Sequence, residues 1–428
     1  MTTASLSCDQ LEVWMEIADP SLWPETAAAW DVSAWDSPPG EGWSREGDVG
    51  YVLITKWVRG FTLEHGRQGQ WDDLLAATLT MELDNTDGVF STYGDNAYPR
   101  LRPGFGVKMY GTWDDVRYTI FIGAATELSE QPTPFDEKVT VQAADFFRVL
   151  NDPISVEYNP GDPAEPVQSR INRLLDRVPG SQPRNIGVGY ATMTNYLTSR
   201  SLLDELKLTA ASDGGVFFVD TDGTIMYMDQ SRVAGRPRPD GVNPPIFGDS
   251  CATDPATGLT YELPYAAIEP RIADNEFGNV ITVSNVSQGT DSPASAKAYN
   301  NDSIAENGRF LWAPPQLVIC NANWVQNLAD FQRDRRSDSY YRIDNFECYP
   351  AHDDRLWPTL LSMRIGDSLF VRRRPPESTM LSFPMLCDGY RIEATPALWK
   401  YVIRCSPAQS IETPNFWDFD LWDVGTWQ

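Results

Sequence analysis

The chain has 428 residues, more than one hydrophobic core usually organises, so two to four domains are expected. Its 42% apolar content, with 15 Trp, 17 Tyr and 18 Phe, excludes a wholly disordered chain, and 32 Pro with 30 Gly suit short strands joined by turns. A formal charge of −26 excludes sequence-independent binding to nucleic acid, which needs clustered Lys and Arg, and adhesion to an anionic membrane.

Residues 1–50 are irregular and Trp-rich and read as an arm; Trp30 and Trp35, five apart, share no face of a strand or a helix. A first β-domain, 51–150, opens at Lys56–Leu63. Leu79, Met81 and Leu83 alternate with polar residues, Asn85-Thr86-Asp87-Gly88 supplies a turn, and Pro103-Gly104 launches Val107 and Met109. Ile120-Phe121-Ile122 and Val139-Thr140-Val141 complete an antiparallel unit that ends in a short helical segment after Asp145.

The Pro-rich stretch 151–166 marks a boundary. A small α+β domain, 151–235, follows. Val167, Ile171, Leu174, Leu175 and Val178 fall at helical spacing after Pro166, and a second helix is expected over Ser201–Ala211, ended by Gly214-Gly215. VFFVD-TDG-TIMYMD is then a hairpin turning at Asp222-Gly223. Residues 236–345 are loop-rich. They contain a strand at Asn279–Val286, a long polar loop over 287–312, a helix from Ala322 to Arg335 and a strand from Tyr340 to Cys348. The β-segment 346–410 and a second Trp-rich arm, 411–428, close the chain.

The last third repeats an earlier pattern. LRPGFGVKMYG at 101 matches MRIGDSLFVRR at 363, and KVTVQA at 138 matches KYVIRC at 400. Gly104 to Gly366 and Lys138 to Lys400 are both 262 residues apart, with slippage between them where Gly123 and Gly389 end the intervening runs. The expected fold is therefore β-rich α+β: two related antiparallel β-barrel domains with an inserted small α+β domain. The second barrel draws on strands around 279–286 and 340–406.

Placing Gly88 or Gly223 at the central glycine of an EF-hand loop puts Leu83 or Phe218 where the first carboxylate belongs, so Asp84, Asn85 and Asp87 read as turn residues. Cys8, Cys251, Cys320, Cys348, Cys387 and Cys405 include no C-x-x-C pair, and the two histidines, His65 and His352, look like loop residues, so no metal or cofactor is expected. This usage suits assembly in a reducing cytoplasm. No signal peptide and no apolar run of about 18 residues is expected. Phosphate-loop, dinucleotide and zinc-protease motifs are absent, which leaves no catalytic residue to nominate. Arg372-Arg373-Arg374 reads as a solvated strand end.

The order LDNTDG, LRPG, FIG and VTVQAAD at 83–145, then LKLTAASDGGVFFVDTDGTIMYMDQSR, SIAENGR and RIGDSLFVR, resembles actinobacteriophage minor tail proteins of the tail-hub, baseplate-hub-like group. The resemblance spans roughly residues 50–405. It implies tube-like barrels and a homotrimer in the virion tail tip, assembled in the host cytoplasm, that joins the tail tube to distal tail, tape measure and receptor-binding proteins. It also implies a channel that is lined or closed without covalent chemistry, past which DNA travels without specific binding. Trp417, Trp422 and Trp427 repeat the spacing of Trp30 and Trp35, and all five are expected at partner interfaces, where Trp is enriched. Two alternatives stand beside this reading. One is a cell-wall glycoside hydrolase using aromatic platforms and paired carboxylates, and the other is the adjacent distal-tail ring protein.

Overall fold

The computed structural model describes residues 10–16, 51–68, 74–91, 104–132, 136–150, 165–178, 182–194, 201–230, 243–249, 262–271, 277–285, 295–314, 316–320, 322–337, 342–376 and 380–408. Among them, fourteen strands join one large sheet, numbered here in chain order. The first seven are β1 (Gln10–Glu16), β2 (Tyr51–Leu53), β3 (Val58–Gly66), β4 (Leu75–Asp84), β5 (Gly106–Trp113), β6 (Val116–Pro132) and β7 (Glu137–Ala144). The other seven are β8 (Ile246–Gly248), β9 (Glu262–Pro264), β10 (Ala267–Arg271), β11 (Arg342–Cys348), β12 (Ser368–Arg373), β13 (Leu381–Thr395) and β14 (Leu398–Pro407).

Period-two burial builds these strands. In β4, Ala77, Leu79, Met81 and Leu83 are buried while Glu82 and the threonines between them face outward. Leu11, Val13 and Met15 do the same in β1, which pairs along β5 from Gln10 opposite Thr112. The segment QLEVWME is thus part of the sheet. This corrects the reading of 1–50 as an arm throughout, because its alternating apolar residues enter a core that the rest of the chain supplies.

The two sets of seven strands have the same spatial order. The first runs β2-β1-β5-β6-β7-β4-β3 and the second β9-β8-β12-β13-β14-β11-β10. From Gly106–Met109 of β5 through β6 to β7 the register also agrees under a shift of 262 residues. Gly106 faces Ala124 as Ser368 faces Leu386, Ala124 faces Ala144 as Leu386 faces Ser406, and Pro132 faces Glu137 as Ala394 faces Trp399. A β-bulge falls between Ala125 and Glu127 in β6 and between Cys387 and Gly389 in β13. Gly104 and Gly366, both at positive φ (101° and 85°), donate to the carbonyls of Ala125 and Cys387. The expected slippage is absent: Gly389 corresponds to Glu127, and Gly123 to Met385. The halves differ at one side, where β1 pairs antiparallel with β2 and β5 but β8 pairs parallel with β9 and β12.

The halves are not separate. β3 pairs antiparallel with β13, Phe61 opposite Ala394 through Gly66 opposite Gly389, so the sheet is continuous across both. Beneath it lies one shared core that also takes in Leu356, Trp357, Leu360 and Leu361 of a short helix. Among the described residues no pairing closes either half into a ring, so the closed barrels expected from sequence are not seen there.

The inserted region has a core of its own. Helix α1 (Val167–Leu175) buries Val167, Ile171, Leu174 and Leu175, and Val178 is buried just beyond it. Helix α2 (Leu202–Ser212) is capped by Ser201, whose hydroxyl accepts from the Asp204 N–H at 3.1 Å. The hairpin Val216–Val219 with Ile225–Met228 packs against both helices, and Arg184–Ile186 adds to it in parallel.

A third core lies between helix α3 (Ala322–Arg336) and a three-stranded sheet of Val280–Ser284, Ser295–Tyr299 and Leu311–Trp312. Two expectations are corrected here. The strand near 279–286 belongs to this small sheet, not to the large one, and 287–312 includes two strands and the helix Asn301–Asn307. In SAKAY the buried residues are Ala296 and Ala298, too small to mark a strand by hydrophobicity.

Candidate assembly surface

The residues that looked chemical in the sequence are consumed by the fold. The Asn85 side chain accepts from the Phe90 N–H at 2.8 Å and donates to the Ser91 hydroxyl, Asp84 accepts from the Thr86 N–H, and Gly88 takes φ +69°. Asp222 likewise accepts from the Thr224 N–H beside Gly223 at φ +82°. Among the described residues no group of three or more His, Cys, Asp or Glu is arranged to hold a metal ion. The arginine run is a correction. Arg374 binds Glu262 at 2.5 Å and Asp249 at 2.8 Å, and Arg372 reaches Glu262 at 3.4 Å, so two of the three arginines grip acids of their own chain. Trp30, Trp35, Trp417, Trp422 and Trp427 lie outside the described residues.

His65 is a second correction. It sits in strand β3, 3% exposed, where the first half, the second half and the inserted domain meet. Its Nε2 lies 2.9 Å from the Val219 carbonyl and its Nδ1 3.2 Å from the Tyr390 hydroxyl. A carbonyl only accepts, so Nε2 carries the proton and Nδ1 accepts from the tyrosine. Next to it Arg364 binds Asp220 at 2.9 Å and the Thr221 hydroxyl at 3.0 Å, and Arg67 donates through Nε to Asp388 at 3.0 Å. The three parts are thus joined by a sheet junction with a buried polar node behind it.

Burial holds the His65 ring below its ordinary pKa, so it folds neutral. An unfolded His binds a proton near pH ~6.5. As pH falls below that value the unfolded state takes up more protons than the folded one, and this contribution to stability is lost. Asp145 acts in the opposite sense. Burial pushes its carboxyl up to about 7, so the folded state holds that proton where the unfolded one has released it, and stability rises as pH falls from about 7. Comparison with His65→Gln isolates the histidine. The variant should be less stable than the parent at pH 7.5, and the gap in denaturant-derived stability should shrink toward pH 5 by about 1.4 kcal/mol per pH unit at most. A gap independent of pH would mean that His65 is not held neutral.

Among the described residues some stretches of strand edge in the large sheet receive no neighbouring strand. Among the described residues β10 pairs with β11, and β5 reaches along β6 only to Ala124, with 104–105 bonding Ala125. Beyond that point Glu127 and Gln131 of β6 are exposed and Leu128 is half-buried, and Ala267 and Glu269 of β10 are exposed. Nothing in the sequence distinguished these edges, since an edge is defined by its neighbours and not by its own residues.

No family model and no curated protein matches the chain. Solved structures do. The 43 kDa tail protein of prophage MuSo2 from Shewanella oneidensis aligns with a TM-score of 0.55 at 12% identity, over 93% of this chain and 98% of its own. A tail protein from Neisseria meningitidis MC58 aligns with a TM-score of 0.54 at 10% identity, over 82% of this chain and 92% of its own. At these identities the likeness shows a shared fold.

Proposed function

We propose that this chain is a structural protein of a bacteriophage tail tip, a hub that joins the tail tube to distal tail and receptor-binding proteins and lines or closes the channel. The observation that carries the reading is the doubled arrangement: two seven-stranded halves of equal strand order, with the same β6–β7 register and the same bulge in it, in one chain whose fold is that of two prophage tail proteins. Three such chains present six equivalent halves, which fits a homotrimer seated on a sixfold tube. On this reading the halves are diverged copies of one tube-like barrel domain, and the five terminal Trp residues contact neighbouring tail proteins. The acidic charge favours a channel that DNA passes without sticking. Among the described residues no helix is long and apolar enough to cross a membrane.

Light scattering on the purified protein should return three times the chain mass, and labelled antibody should decorate the tail tip of intact particles. A sixfold mass would instead favour a ring protein. Clearing of a host cell-wall suspension by the purified chain would overturn the non-enzymatic reading in favour of a hydrolase.

A further inference from the structure

The two halves differ in one respect that bears on assembly. In the first half, β3 is covered on its outer side, because it pairs with β13 of the second half. Its counterpart β10 has no such cover within the described residues of the chain. Likewise β13 receives β3 beyond the end of β12, whereas the equivalent stretch of β6, beyond the end of β5, receives no strand among the described residues.

The correspondence can be carried to single residues. Thr80 of β4 faces Gln142, and Asn345 of β11 faces Arg404, the residue 262 places on. Across β4 and β11, Phe61 faces Met81 and Thr62 faces Thr80, as Ile268 faces Phe346 and Glu269 faces Asn345. Ile268 and Glu269 are therefore the counterparts of Phe61 and Thr62. Within the chain, Phe61 lies opposite Ala394 and Thr62 opposite Glu393. The counterparts of those partners are Pro132 and Gln131 of β6.

Burial follows the cover. Phe61 is 4% exposed and Ala394 2%, while Ile268 is only half-buried and Glu269 and Gln131 are exposed. β10 is an edge strand among the described residues, and an exposed edge can add a strand of another chain through main-chain hydrogen bonds.

We propose that β10 of one copy pairs antiparallel with the end of β6 in the next copy, Glu269 opposite Gln131, repeating between chains the junction that β3 and β13 make within one. The partner is a second copy of this chain, and the inference rests on the ring-forming reading above. The contact is head-to-tail, since each copy offers one β10 and one β6, and such a contact closes when its rotation divides the circle. The pairing is short. β10 bulges after Glu269, and β6 carries Glu127 where the internal junction has Gly389.

The test uses the full chain with Glu269→Cys and Gln131→Cys together. Both positions are exposed, so folding should be retained, and directly opposed residues on antiparallel strands bring their Cβ atoms to about 4.5–5.5 Å, near disulfide reach. After mild oxidation, a non-reducing gel should show a covalent trimer at least tenfold above the parent chain. It should also stand tenfold above the off-register pair Glu269→Cys with Glu127→Cys, whose cysteines would sit about 13 Å apart along the strand. If the parent has trimer mass and the in-register pair links no better than the off-register pair, the proposed edge is wrong and the trimer reading survives. If the parent is not a trimer and no linked species forms, both fall.

Discussion

Replacing Trp399 with alanine should cost about 3–5 kcal/mol of folding stability, the range for deleting a buried Trp or Phe side chain. Trp399 is the second residue of β14 in the second half and is 0% exposed. Its ring meets Phe61 of β3 edge-on at 5.3 Å and Trp357 at 5.3 Å, and Trp357 in turn stacks on Trp113 of β5 at 5.6 Å. This row of rings runs from one half of the sheet into the other, so a cavity at 399 loosens both at once. Among the described residues the indole N–H makes no hydrogen bond, so Trp399→Phe should recover more than half of the loss. Chemical denaturation of the three proteins checks this. A loss below about 1.5 kcal/mol for Trp399→Ala would mean that the halves do not depend on their shared core.

Gly66→Ala is expected to be the most damaging change at the sheet junction. Gly66 has φ +93°, and a Cβ there would stand 2.3 Å from the Asp388 carbonyl oxygen and 2.5 Å from the Gly389 Cα. Both are backbone atoms of the paired strand, and neither can give way without parting β3 from β13. Strain at positive φ costs about 1–3 kcal/mol, and overpacking against a fixed neighbour adds about 1–3 kcal/mol. Gly389→Ala carries only the second cost, because its Cβ would meet the His65 carbonyl oxygen at 2.4 Å. Gly88→Ala carries only the first: it has φ +69° and nothing within 4 Å. Urea midpoints should therefore show Gly66→Ala as the least stable of the three. A Gly66→Ala variant no worse than Gly88→Ala would show that the strands are free to separate at little cost.

Much of the secondary structure was legible in the residues themselves, because local patterning decides it where an element buries one face. Leu79, Met81 and Leu83 in β4 are one case, and Val167, Ile171, Leu174 and Leu175 in helix α1 are another. The Asp222-Gly223 turn was an equally local signal, and the 262-residue spacing of Gly104 with Gly366 was legible as a repeat that coincides with the paired register. What pairs with what was not legible. The sequence cannot show that β3 leaves its own half to pair with β13, because strand alternation specifies which face is buried and says nothing of the neighbour across an edge. For the same reason His65 read as a loop residue. Its burial is created by Tyr390, 325 residues away, and by the Val219 carbonyl of a different domain. The acids that hold Arg374 are also distant, at 249 and 262, so a run of three charges looked solvated. Trp357 and Trp399 gave no periodic signal, and only packing assigns them to the core between the halves. Sequence by itself determined a β-rich chain with a repeated strand pattern. The tertiary structure decided that the repeats share one sheet, since that outcome depends on backbone edges, which no side-chain pattern encodes.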